Sequence, residues 1–271
     1  MLVVCNGAFK SGSTWVYEIV KAITGYPLPP QQYLNPYDSL PDYKKNNDGI
    51  VAAVNPSQLQ LLLNSRIHHS SSYVCKNHLR AVWQQELLSS DPDCRIVDVR
   101  RDIRDVIVSA YYHDCRAYHF SGDFRAYYWS LGRLRAVQVL SHYKLWHSVE
   151  ENVYVLNYQQ LKDNFVKEVQ KLGIFLGFTL SEQQIHYIQE QTSIGTMRKK
   201  WNEQKSKQPF FRKGISGDWE EHMDSDILYD LEDLQGSKTL ARHRKLWSGI
   251  KAVSYIPSLL LLEKMYRKLT K

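Results

Sequence analysis

Short apolar, β-branched runs alternate along this chain with stretches whose apolar residues recur at helical spacing. Residues 2–5 (LVVC) read as a strand that ends at Asn6-Gly7. From Gly12 the period changes, with Trp15, Ile19, Val20 and Ile23 on one face until Gly25 and Pro27 stop the helix. The same reading predicts strands at 73–75, 95–99 and 153–156. Helices are predicted over 102–149 (broken near Ser121-Gly122), 161–176 and 181–191. Strands alternating with helices predict an α/β fold with a central, mostly parallel sheet flanked by helices. Such sheets bind ligands beyond the carboxyl ends of their strands.

Residues 27–50 carry Pro27, Pro29, Pro30, Pro36 and Pro41 among several Tyr and Asn, a composition suited to an irregular cap over a site. The chain has 271 residues, 43% of them hydrophobic, enough for one α/β domain with a sizeable core. We place that domain at 1–235, followed by a basic, partly apolar tail at 236–271 expected to pack on it as a helix. The alternative for the tail is an interfacial amphipathic anchor. Its longest apolar stretch, 253–262, is half a membrane span and is interrupted by Ser254, Tyr255, Pro257 and Ser258.

A formal charge of +7 fits an anionic ligand, nucleic acid or an anionic membrane face, and decides nothing among them. Cys5, Cys75, Cys94 and Cys115 show neither CxxC spacing nor paired His, so buried core cysteines are expected and a zinc site is not. The N-terminal residues MLVVCNGAFK do not read as a signal peptide, and a cytoplasmic setting is the default.

The turn after the first strand runs Gly7-Ala8-Phe9-Lys10-Ser11-Gly12-Ser13-Thr14-Trp15. A glycine-bearing loop that opens a helix makes an anion cradle from its N–H groups and the helix dipole. The spacing is P-loop-like, but Ser13 stands where a nucleotide-triphosphate P-loop needs lysine. Asp98, on the VDV strand, is the nearest candidate for a metal-binding aspartate.

Lys10, Ser11, Gly12, Thr14 and Trp15 resemble the phosphosulfate loop, P-K-S-G-T-T-W, of the sulfotransferases that use 3′-phosphoadenosine 5′-phosphosulfate (PAPS). Phe9 replaces the proline and Ser13 one threonine. Residues 101–109 resemble the family's R-N-x-x-D-V-x-V-S box for the 3′-phosphate, with Asp102 in place of asparagine. Arg212-Lys213-Gly214-Ile215-Ser216-Gly217-Asp218-Trp219 resembles R-K-G-x-x-G-D-W. Three such boxes in the family's order carry the resemblance. It implies Arg101, Ser109, Arg212, Lys213 and Gly214 around the 3′-phosphate, and Tyr158 beside the adenine. Thr192, Ser193, Ile194 and Met197 match T-S-F-x-x-M, with Ile194 replacing the phenylalanine that packs on adenine opposite Trp15.

Lys76-Asn77-His78-Leu79-Arg80 resembles K-x-H-L-P, with Arg80 in place of proline. The resemblance implies His78 as general base, Lys10 on the bridging oxygen of the leaving group and Lys76 on the sulfuryl oxygens. Ser109 is implied to hold Lys10 away from the cofactor until acceptor binds. No metal is implied, and the product would be 3′-phosphoadenosine 5′-phosphate (PAP).

The expected partner is a small organic acceptor with a hydroxyl or amine, not nucleic acid. Phe9, the 27–50 segment and residues 111–120 are expected to line its pocket. The family's lysine and Phe-Thr-Val dimer segment is absent after Trp219, so oligomeric state stays open. The alternatives are a P-loop-type nucleotide kinase and a non-catalytic nucleotide-binding module.

Overall fold

The computed structural model describes residues 1–34, 54–147, 151–200 and 210–236. The parts of the cap and tail at 35–50 and 237–271 lie outside the described residues.

Four strands form a parallel sheet: β1 (Leu2–Gly7), β2 (Tyr73–Lys76), β3 (Cys94–Arg100) and β4 (Val153–Asn157), in the order β2-β1-β3-β4. The helices that position the site are α1 (Ser13–Thr24), α2 (Val82–Ser89), α3 (Ile103–Tyr118) and α4 (Arg133–Leu145). Behind β4 come α5 (Phe165–Leu176), α6 (Glu182–Gln191), α7 (Ile194–Lys200) and α8 (Ser225–Gly236). The α/β reading therefore holds, and each predicted strand lies within an observed one.

Alternation along β1 explains the layers. Val3 and Cys5 face a core with Val16, Ile19 and Val20 of α1 and Val169 and Leu172 of α5. Leu2 and Val4 face the opposite core, with Leu62, Leu88 and Trp146. A third core joins Val106 and Ile107 of α3 to Tyr127, Tyr128, Ile227 and Leu231.

Helix boundaries differ from the sequence reading where polar caps intervene. The break in 102–149 falls at 119–123, where His119 is left-handed (φ 56°) and Asp123 caps the next turn through the Ala126 N–H. The segment expected as one helix from 161 splits into Tyr158–Asp163 and α5 around Asn164. Cys5, Cys75 and Cys94 are buried as expected, whereas Cys115 is only half-buried.

Candidate active site

Between β1 and α1 the chain turns through Lys10 (φ 66°) and Gly12 (φ 103°), both left-handed. Ser11 locks the turn, its N–H and Oγ both donating to the Ala8 carbonyl at 3.1 and 2.7 Å. The first N–H groups of α1 then have no earlier helical carbonyl to meet, the arrangement that favours an anion. Glycine at 12 is enforced by packing as well: an added Cβ would stand 2.6 Å from the Tyr158 ring.

Tyr158 joins two of the predicted boxes. Its buried ring meets Trp15 edge-on at 5.4 Å, and the Arg101 guanidinium lies 4.6 Å from its centroid. Arg101 in turn donates to the Ile215 carbonyl at 2.7 Å, which ties the second box to the third. Asp105 strengthens the same junction, accepting the Gly217 N–H at 3.1 Å and facing Arg101 at 3.8 Å. The Arg101 Nε is buried with no partner among the described residues, as expected of a group that awaits an anion.

In the third box Asp218 is the pivot. It accepts from Lys213 at 2.6 Å and pairs with Arg212, whose guanidinium also lies 4.0 Å from the Tyr112 ring centroid. Arg198 of α7 holds the Phe211 and Arg212 carbonyls, docking the box on that helix. Gly214 is left-handed (φ 64°), and a Cβ there would meet Ile194 at 2.9 Å. Met197 and Thr192 are buried, with the Thr192 hydroxyl bonded to the Ile188 carbonyl at 2.8 Å, while Ser193 and Thr196 bond each other at the start of α7. Asp105 and Asp218 were legible as letters of their motifs, but their docking roles were missed because they are tertiary.

His78 sits where β2 leaves the sheet. Its Nδ1 is 2.7 Å from the Gly7 carbonyl, which only accepts, so Nδ1 carries the proton and the neutral ring keeps its lone pair on Nε2. A buried polar ladder fixes this loop. Asn77 pairs with both backbone groups of Val54, and Asn6 accepts the Leu79 N–H at 3.0 Å and donates to Asp98 at 3.1 Å. Asp98 is fully buried and also meets His142 Nε2 at 2.8 Å; it is a structural strut, not the candidate metal ligand of the sequence reading.

Electrostatically the floor is cationic. Burial, then Arg116, Lys76 and Arg101, push the Lys10 ammonium down to about 7, with Asp114 a partial counterweight. Burial brings Lys76 to about 8, and its Nζ donates to Thr14 Oγ1 at 3.0 Å. Burial, followed by Lys76, lowers His78 to about 3, keeping the free imidazole neutral. Ser109 is half-buried and, among the described residues, makes no hydrogen bond to Lys10, whose ammonium lies over the Phe210 ring at 4.0 Å. Phe210 was missed because nothing local marks a cation–π partner two hundred residues away.

The residues expected to line the acceptor pocket fall into different surroundings. Phe9 lies beside His78 and His113, at 6.4 and 5.0 Å between ring centroids. Tyr111 instead packs with Phe120, Phe124 and Tyr127, and Tyr112 turns toward His222.

A model of the sulfotransferase domain matches residues 3–239. Sulfotransferase 1 family member D1 of Mus musculus is 28% identical over 262 residues, covering 83% of this chain and 81% of that protein. Cytosolic sulfotransferase 11 of Arabidopsis thaliana is 24% identical over 257 residues, covering 83% and 69%. Mouse sulfotransferase SULT7A1, solved with PAP, superposes with a TM-score of 0.59 at 18% identity, covering 91% of this chain and 88% of that one. Retinol dehydratase, solved with androsterone and PAP, gives 0.61 at 19% identity, covering 94% and 83%. Among the described residues, no helix is long and apolar enough to cross a membrane.

Proposed function

The chain belongs to the sulfotransferase domain family, and on that premise we propose that it moves a sulfuryl group from PAPS to a hydroxyl or amine of a small organic acceptor. The bound donor supplies an activated sulfuryl group on a phosphate leaving group. The residues present suit it: left-handed turns at Lys10 and Gly12, a buried Arg101 Nε with no partner among the described residues, and lysines whose charge burial disfavours until an anion arrives.

His78 Nε2 takes the acceptor's proton as the acceptor bonds to sulfur and the sulfur–oxygen bond to phosphate breaks, its electron pair leaving on the phosphate. Lys10 neutralises the bridging oxygen, and Lys76, steadied by Thr14, serves the sulfuryl oxygens. Ser11, Gly12, Ser13 and Thr14 cradle the phosphosulfate. Arg101, Ser109, Arg212, Lys213 and Gly214 take the 3′-phosphate. The adenine lies among Trp15, Tyr158, Thr192, Ser193, Ile194 and Met197. The retinol dehydratase neighbour binds androsterone, which agrees with a small acceptor. A cytoplasmic setting and a domain of 1–235 with a packed tail belong to the same reading.

One observation carries it. The Gly7 carbonyl that fixes the His78 tautomer belongs to the turn that bears Lys10, so base and leaving-group cation share one support. Labelled-sulfate transfer from PAPS across an acceptor panel tests it. His78→Ala should lower kcat by about 10²–10⁴ while PAP affinity stays within about twofold. An unchanged rate in that variant removes His78 as the base.

A further inference from the structure

A narrow crevice opens beside Ala8 and Phe9, between the loop after β2 and helices α3 and α4. Phe9, Val106, Ala110 and Val139 give it apolar walls, and Arg80, Arg135, Gln138 and His142 line it with polar groups. Among the described residues that line it, none is a carboxylate. Arg135 is almost fully buried, held from behind by both oxygens of Asp114 at 3.2 and 3.0 Å, with its guanidinium 4.8 Å from the Phe9 centroid. Arg80 reaches the mouth from the loop after His78 and is itself exposed. His142 gives Nε2 to Asp98 at 2.8 Å, leaving its buried Nδ1 without a partner among the described residues.

We propose that this crevice is an anion subsite of the acceptor pocket, taking a carboxylate carried by the acceptor and thereby aiming its hydroxyl or amine at His78. The occupant's identity rests on the transferase reading above.

Two guanidiniums from separate elements, Arg80 after β2 and Arg135 on α4, converge on a partly apolar space. Like charges so placed disfavour one another, and an anion between them reverses the sign of that interaction. Guanidinium matches carboxylate geometry through paired N–H donors, and the Gln138 amide adds a donor. The reach suits an aromatic spacer, because Phe9, which lines the crevice, has its ring centroid 6.4 Å from that of His78. Arg80 stands where the family pattern has proline, which bears no charge.

Calorimetry with para-hydroxyphenylacetate and its neutral counterpart para-hydroxyphenylacetamide, with and without PAP, tests the proposal. The carboxylate should bind the PAP-loaded protein at least about tenfold more tightly, the scale of one charge-assisted contact. Arg80→Gln should bring the pair within about twofold, with PAP affinity unchanged. Equal binding of the two probes, or an advantage that survives in Arg80→Gln, overturns the proposal. So does inorganic sulfate competing as strongly as the aryl carboxylate, which would make this a site for a free anion. Loss of PAP binding with the carboxylate preference intact would defeat the transferase reading and leave the subsite standing; the reverse would defeat the subsite alone.

Discussion

On the donor side, the groups proposed to bind the anion come from runs of consecutive residues: Lys10 to Trp15, Arg101 to Ser109, and Arg212 to Trp219. On the proposed acceptor side, the groups come from four separate places in the chain: Phe9 before α1, Arg80 after β2, Ala110 on α3, and Arg135 and His142 on α4. A phosphate read by backbone N–H groups imposes a fixed local conformation, and therefore fixed residues at fixed spacing. A pocket read by side chains imposes only that they converge, so its sequence is free to vary. The donor side should therefore be brittle to small backbone changes, and the acceptor side tolerant of them.

Gly12→Ala tests that brittleness with the largest expected effect. The new methyl must adopt a left-handed φ of 103° and also displace the Tyr158 ring, which it would approach at 2.6 Å. Strain of this kind costs about 1–3 kcal/mol, and moving Tyr158 also disturbs the Arg101 stacked on it. PAP affinity should fall about a hundredfold, with a lower thermal midpoint, by calorimetry and melting. Ala110→Gly, across the cleft, should leave PAP affinity within about twofold. Equal losses in the two variants would erase the distinction.

Arg101→Met is the next step down. It removes the guanidinium with its buried Nε while keeping an apolar stem over Tyr158. A hydrogen bond to a charged group contributes about 1.5–2 kcal/mol, so PAP should bind roughly ten- to thirtyfold more weakly. Adenosine, which lacks the 3′-phosphate, should lose nothing. An equal loss for both ligands would mean that Arg101 acts by holding Ile215 and the third box, and not on the phosphate.

The same contrast explains what could be read in the sequence. The strand order was not legible, but the strands were, because β-branched runs at 2–5 and 95–99 end at chain turns with sharp residue requirements. The three boxes were legible for the same reason. Arg80 was visible only as a departure from a pattern, and Arg135 and His142 went unread because one helix residue among many carries no local mark. Asp98 was read as a possible metal ligand because a carboxylate at a strand end looks alike whether it faces a site or, as here, is saturated by Asn6 and His142. Tyr111 was assigned to the pocket from its aromatic neighbours, and those neighbours are what draw it into a core cluster instead.

The smallest effect, and the sharpest separation of the two sides, is a difference in pH dependence. In the free protein Lys10 is brought down to about 7 chiefly by burial, with Arg116 and Lys76 adding to it, so above that pH it is mostly neutral. An anion bound against Lys10 favours the ammonium, so binding above pH 7 must draw a proton from solvent. The sign follows: PAP affinity is highest below about pH 7 and falls as pH rises, approaching tenfold per unit, with Lys76 near 8 steepening it further. Calorimetry at pH 8 in two buffers of different ionisation enthalpy should register proton uptake on PAP binding, and Lys10→Met should reduce it. A carboxylate held by Arg80 should show little slope between pH 7 and 9, since desolvation and then Arg135 bring that guanidinium down only to about 10. A PAP affinity that stays flat over that range would mean that Lys10 is already charged before the anion arrives, and that its burial costs the donor side nothing.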